Sequence, residues 1–128
     1  MQVKRITPIL MVEKVEPCVQ FWVERLGFEK TAEVPGAGGA IFASLQKGTM
    51  EIMYQTYASV EQDNPATGAL ARKGPTFLYL EVDDLAAVKA ALAGAEEVMA
   101  ERATFYGSRE FAVKDPAGHV LTFAQFGG

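Results

Sequence analysis

Two stretches of this chain are variants of one unit. The first runs from ITPILMVEKVEPCVQFWVERLGF through AIFASLQKGTMEIMYQ, and the second from TFLYLEVDDLAAVKAALAGA through REFAVKDPAGHVLTFAQF. Each opens on an apolar run suited to a strand, changes to helical spacing, and closes with short runs separated by turn residues. A chain doubled in this way must place two similar modules in one fold, which restricts the architecture more than any single motif does.

In the first unit, residues 3 to 12 are rich in Val, Ile and Leu and read as a strand, with Pro8 marking an edge or a bulge. Val15, Val19, Trp22, Val23 and Leu26 then form a stripe at helical spacing, with Pro17 in the first turn and Gly27 at the stop. Strands near 28 to 34, 40 to 46 and 49 to 56 follow as an antiparallel meander, turning at Pro35 to Gly39 and at Lys47-Gly48. Residues 57 to 75 are polar and punctuated by Gly and Pro, a connection with room for one helical turn.

The pattern restarts with a strand at 76 to 82. Asp83 or Asp84 caps a helix whose apolar face is Leu85, Val88, Ala91 and Leu92, ended by Gly94. Strands near 95 to 101, 108 to 114 and 119 to 126 complete it, the last two joined by a turn at Asp115-Pro116-Ala117-Gly118. The reading is α+β: one domain of two βαβββ modules, about 1 to 56 and 76 to 128, joined by the connection 57 to 75.

Composition removes several function classes. A net charge of −4 without a basic block gives no footprint for nucleic acid or an anionic membrane surface. No run approaches the roughly 18 apolar residues of a membrane span. The N-terminal apolar run meets Glu13, Lys14 and Glu16 too early for a signal peptide. Cys18 is the sole cysteine, which fits a reducing compartment and makes the cytoplasm the expected location. GAGG at 36 to 39 lies in a turn between strands, without the helix a phosphate loop needs, and one histidine in a strand supports no nucleophilic triad.

The order of elements, with FWVERLGF at 21 to 28 and DPAGHVLTF at 115 to 123, resembles the vicinal oxygen chelate superfamily of glyoxalases, bleomycin resistance proteins and extradiol dioxygenases. The resemblance covers nearly the whole chain. It implies a curled mixed sheet with a cleft and helices on the outer face. In the superfamily's metal enzymes, four His, Glu or Gln side chains hold one divalent ion, two from each module. Carried over, those positions fall on Thr7 and Glu51 in the first unit and on Phe77 and Thr122 in the second. Only Glu51 is a strong ligand, because Thr hydroxyls and a Phe ring do not replace imidazole or carboxylate. His119 stands three residues before Thr122, on the other side of the strand. The resemblance therefore implies no metal and no other cofactor, with Glu51 as the catalytic residue only if the protein is an enzyme.

Residues two apart on a strand share a face. Starting from those positions, the cleft face carries Thr7, Ile9 and Met11, then Glu51, Met53 and Gln55, and in the second unit Phe77, Tyr79, Glu81, Val120, Thr122 and Ala124. Ile6, Leu10, Val12, Ile52, Leu78, Leu80, Val82, Leu121 and Phe123 fall beneath the helices. A greasy lining with sparse polar groups suits a small-molecule site, and it equally suits a closed core or a subunit interface. Trp22 belongs to the helix core. Tyr106 and Arg109 either close over the ligand or, for Arg109, pair with Glu110 at the surface; Tyr57 has a similar option.

The leading expectation is a metal-free protein of the bleomycin-resistance type that sequesters a small, partly aromatic compound such as an antibiotic, the resemblance implying a homodimer. One alternative is a metal-dependent lyase or isomerase of the glyoxalase type, with Glu51 moving a proton. The other is a dimeric interaction module whose cleft is filled by Met11, Met53, Phe77 and Tyr79.

Overall fold

In the computed structural model, which describes residues 1–127, the chain divides into two compact units, Met1–Gly74 and Pro75–Gly128. The first contains β1 (Ile9–Val12), α1 (Glu16–Leu26), β2 (Glu29–Gly36), β3 (Gly39–Lys47), β4 (Met50–Thr56), α2 (Tyr57–Asp63) and α3 (Pro65–Ala71). Its sheet has the order β1-β4-β3-β2, with β1 parallel to β4 and the other pairs antiparallel. The second unit repeats the plan with β5 (Phe77–Glu81), α4 (Leu85–Ala91), β6 (Glu97–Ala103), β7 (Ser108–Lys114) and β8 (Val120–Phe126), in the order β5-β8-β7-β6. Two βαβββ modules, each with its own four-stranded mixed sheet, are the architecture expected from the doubled sequence.

One face of the first sheet is apolar because alternate residues feed it: Leu10 and Val12 of β1, Ala43 and Leu45 of β3, and Ile52 and Tyr54 of β4 are buried. α1 packs against β2 and β3 through Cys18, Phe21 and Trp22. The indole N–H of Trp22 donates to the Tyr54 hydroxyl at 2.8 Å, so the two largest side chains of this core also satisfy each other's polar atoms. Gly27 ends α1 in the left-handed conformation, and Phe28 folds back edge-on to Trp22 with ring centroids 4.8 Å apart. At the other end of the helix, Glu16 accepts the Ala40 N–H at 2.6 Å, which ties α1 to the β2–β3 hairpin and holds that carboxyl below its ordinary range.

In the second unit, Phe111 and Phe123 stack with centroids 5.5 Å apart in a core that includes Leu85, Leu92 and Leu121. The Asp84 side chain caps α4 by accepting the Ala87 N–H at 3.0 Å. Asp115 organises the β7–β8 turn by accepting the N–H groups of Ala117 and His119, and Gly118 takes the positive φ of 92° that the turn requires.

The sequence reading needs correction in two places. The first strand covers Ile9–Val12, not 3 to 12, since Pro8 has no N–H to continue the ladder; Val3 and Ile6 are exposed, so Ile6 does not pack under a helix. The connection at 57 to 75 holds two helices instead of one turn, each capped locally: Thr56 accepts the Ser59 N–H and Asn64 accepts the Thr67 N–H. Both belong to the first unit. Gly68 of α3 lies so close to the Glu61 backbone of α2 that an added Cβ would fall 2.5 Å from its Cα.

Candidate functional site

In the first unit, Glu51 on β4 lies on the sheet face opposite the α1 core. Its carboxylate accepts the Ser44 hydroxyl at 2.9 Å, the Thr7 hydroxyl at 3.0 Å and the Arg5 guanidinium at 3.1 Å. These donors, Ser44 first, hold the Glu51 carboxyl below its ordinary range. The register places Ile9 beside Met53 and Met11 beside Gln55, with Ser44 beside Met53 on the other side. Thr7, Ile9, Met11, Glu51, Met53 and Gln55 therefore share one face. Ile9 is exposed and the others are half-buried.

The corresponding face of the second unit is organised by a different carboxylate. Glu110 on β7 is 1% exposed and accepts the hydroxyls of Tyr79, Tyr106 (2.8 Å) and Ser108 (3.0 Å), with Arg102 at 3.6 Å. Burial opposes its ionisation, but the hydroxyl donors outweigh that and hold its carboxyl below the ordinary range. The same hydrogen bond pushes the Tyr79 phenol up to about 12. Glu81, Ala124, Glu110 and Arg102 form one row across β5, β8, β7 and β6. Tyr79 faces Thr122 in the next row, and Phe77 faces Val120. Phe77 and Thr122 thus lie on the same face, one pair apart along the β5–β8 register.

Arg109 does not join this group. By alternation it projects from the opposite face of β7, where its guanidinium pairs with Glu101 at 2.8 Å rather than with Glu110. There it lines a groove of about 440 Å³ together with Leu85, Ala86, Thr104 and Gln125. Tyr57 lies beneath the Arg72 guanidinium, 4.3 Å from the ring centroid. His119 is buried, and its Nδ1 accepts the Thr76 N–H at 2.8 Å, so it fastens the entry of β5 to the β7–β8 turn.

The sequence matches the family model of the Glyoxalase/Bleomycin resistance protein/Dioxygenase superfamily over residues 2–123. The chain belongs to that superfamily. Among solved structures it is similar to TioX from Micromonospora sp. ML1, at 21% identity and a TM-score of 0.77, covering 97% of this chain and 99% of that one. It is also similar to the bleomycin-binding protein from bleomycin-producing Streptomyces verticillus, solved with copper(II)-bleomycin, at 26% identity and a TM-score of 0.63, covering 100% and 99%. Lactoylglutathione lyase from Agrobacterium tumefaciens shares the fold at 15% identity and a TM-score of 0.77, covering 97% and 95%. A comparison with curated proteins gave no match.

The superfamily's metal enzymes supply the test of whether an ion fits these residues. It does not fit. Of the four carried-over positions, Phe77 has no donor atom, Thr7 and Thr122 have neutral hydroxyls, and Thr7 already donates to Glu51. Glu51 itself carries three hydrogen bonds, one from a cation. Among the described residues no group of three or more His, Cys, Asp and Glu side chains is placed to hold a metal ion.

Sequence reasoning missed Ser44 and Glu110. Alternation carried a signal for Glu110, since Phe111 and Val113 mark the core face of β7 and put Ser108 and Glu110 on the face of Tyr79. Its convergence with two tyrosines from separate segments depends on sheet order, which alternation does not specify.

Proposed function

We propose that this protein binds a small, partly aromatic molecule and sequesters it without a metal ion, in the manner of an antibiotic-binding protein. The observation that carries the reading is the state of Glu51. Its carboxylate is already engaged by three donors, Ser44, Thr7 and the Arg5 cation, and it stands on a face that also carries Ile9, Met11 and Met53. Apolar surface with a few fixed polar groups favours affinity and orientation over bond activation. In the second unit, Phe77 and Tyr79 are exposed aromatic groups of the same kind, with Thr122 beside them. The likeness to the bleomycin-binding protein, over essentially the full length of both chains, supports the same direction.

The proposal includes a homodimer, whose second copy would cover part of the apolar surface, and a cytoplasmic location consistent with a lone buried cysteine. No helix among the described residues is long and apolar enough to cross a membrane. Isothermal titration with bleomycin, with and without copper, and with planar aromatic compounds tests the reading. Saturable one-site binding by at least one of them supports it. Absence of binding across the panel at high micromolar concentration sinks it.

A further inference from the structure

Three hydroxyl donors converge on one oxygen of the second unit, Oε2 of Glu110: those of Tyr79, Tyr106 and Ser108. A phenol has a single proton. Once that proton is given to the carboxylate, the phenol oxygen has only lone pairs left to offer. Both tyrosines remain partly accessible, Tyr79 at 54% and Tyr106 at 46% residue exposure, while Glu110 is buried.

The surroundings add charge and ring surface. Glu81 shares the row of Glu110 and is exposed. Arg102 is the opposing cation, but it stands 3.6 Å from Glu110 with a side chain 57% exposed, where water screens it more than the buried carboxylate. Phe105 meets Tyr106 edge-on at 5.1 Å, and the Phe126 ring lies 6.4 Å from the same tyrosine. Both phenylalanines are exposed.

We propose that the phenol oxygens of Tyr79 and Tyr106, backed by the Glu110 carboxylate, form an acceptor site for a cationic N–H donor, a protonated amine or amidine, carried on an aromatic skeleton. This rests on the small-molecule reading above and names the class of ligand. A cationic donor gains a charge-assisted hydrogen bond to oxygens that the carboxylate has made more negative, and its rings gain the neighbouring aromatic faces. A quaternary ammonium keeps the charge but has no hydrogen to give. A carboxylate meets lone pairs and a buried negative charge.

Four probes with one ring system separate these contributions: naphthylmethylamine, trimethyl(naphthylmethyl)ammonium, naphthylmethanol and naphthoate, each titrated calorimetrically into the full chain at neutral pH. The amine is expected to bind about tenfold or more tighter than the trimethylammonium compound, the scale of a hydrogen bond to a charged group, and naphthoate weakest. Tyr79→Phe and Tyr106→Phe should each weaken the amine and leave the trimethylammonium compound little changed. Should Tyr79→Phe fail to fold, Tyr106→Phe carries the test, with a thermal melt confirming its structure. Equal affinity for all four probes, or an amine affinity indifferent to Tyr106→Phe, overturns the acceptor site while leaving the broader binding reading intact. Binding by none of the four overturns the acceptor site; if bleomycin and the planar aromatics also fail to bind, the broader reading falls with it.

Discussion

The Tyr79 hydroxyl donates to Glu110 although their strands do not touch: β5 and β7 flank β8 on opposite sides. Strands two apart lie about 10 Å from each other, so the tyrosine ring has to cross β8. The β8 residues on that diagonal are Thr122, which faces Tyr79, and Ala124, which faces Glu110. Small side chains there make the reach possible. Ala124→Leu should therefore break the hydrogen bond and let the late-ionising phenol, now near 12, return toward its ordinary value of 10. A spectrophotometric tyrosine titration of both proteins reads this directly.

Glu110 should govern how the second unit responds to acid. A carboxyl held low in the folded state adds stability above its ordinary value of 4.5 and loses it as pH falls through the folded value; Glu110 and Glu51 both act in this sense. Melting temperature should fall steadily below that range, and Glu110→Gln should flatten part of the slope. Glu110→Ala is the harsher change, because it leaves three hydroxyl donors without their acceptor, at about 1–3 kcal/mol. At the alkaline end the sign reverses for Tyr79, whose contribution is complete below 10 and disappears as pH climbs through about 12.

The doubled pattern, the two helix stripes and the Asp115–Gly118 turn were legible because each is local: periodicity, caps and turn chemistry act over a few residues. Alternation also put Thr7, Ile9, Met11, Glu51, Met53 and Gln55 on one face. What escaped was non-local. The Tyr79–Glu110–Tyr106 cluster depends on β8 lying between β5 and β7, and Ser44 meets Glu51 across a hairpin register. The surface pair of Arg109 with Glu110, one of the two options read for Arg109, does not form, because neighbours on a strand point to opposite faces and Arg109 meets Glu101 instead. Pro8 was recognised as a disturbance; its carbonyl still accepts the Met53 N–H at 2.9 Å, but it has no N–H to carry the ladder further back.

Trp22 and Tyr54 offer a check on the first unit. Tyr54→Phe removes the acceptor at 2.8 Å from a buried indole N–H and should cost about 1–3 kcal/mol, with the Trp22 emission changing in the folded protein. Chemical denaturation followed by fluorescence gives both quantities for the chain's only tryptophan.

Gly68 tests the helices of the connection. Because the Cβ of an alanine would meet the Glu61 Cα at 2.5 Å, α2 and α3 would have to move apart. Gly68→Ala should destabilise by about 1–3 kcal/mol, the usual range for overpacking, even though alanine is the better helix former. A rise in melting temperature would show that the two helices do not pack this closely.

The most direct measurement is equilibrium dialysis of the purified chain against Zn²⁺, Ni²⁺, Mn²⁺ and Fe²⁺, followed by metal analysis. Because Glu51 is already paired with Arg5 and hydrogen-bonded to Ser44 and Thr7, and Phe77 and Thr122 supply no anionic or imidazole donor, uptake should stay well below one ion per chain and Glu51→Ala should not alter it. One ion per chain, retained on dialysis and lost in Glu51→Ala, would contradict the metal-free reading and return the protein to the superfamily's metal enzymes.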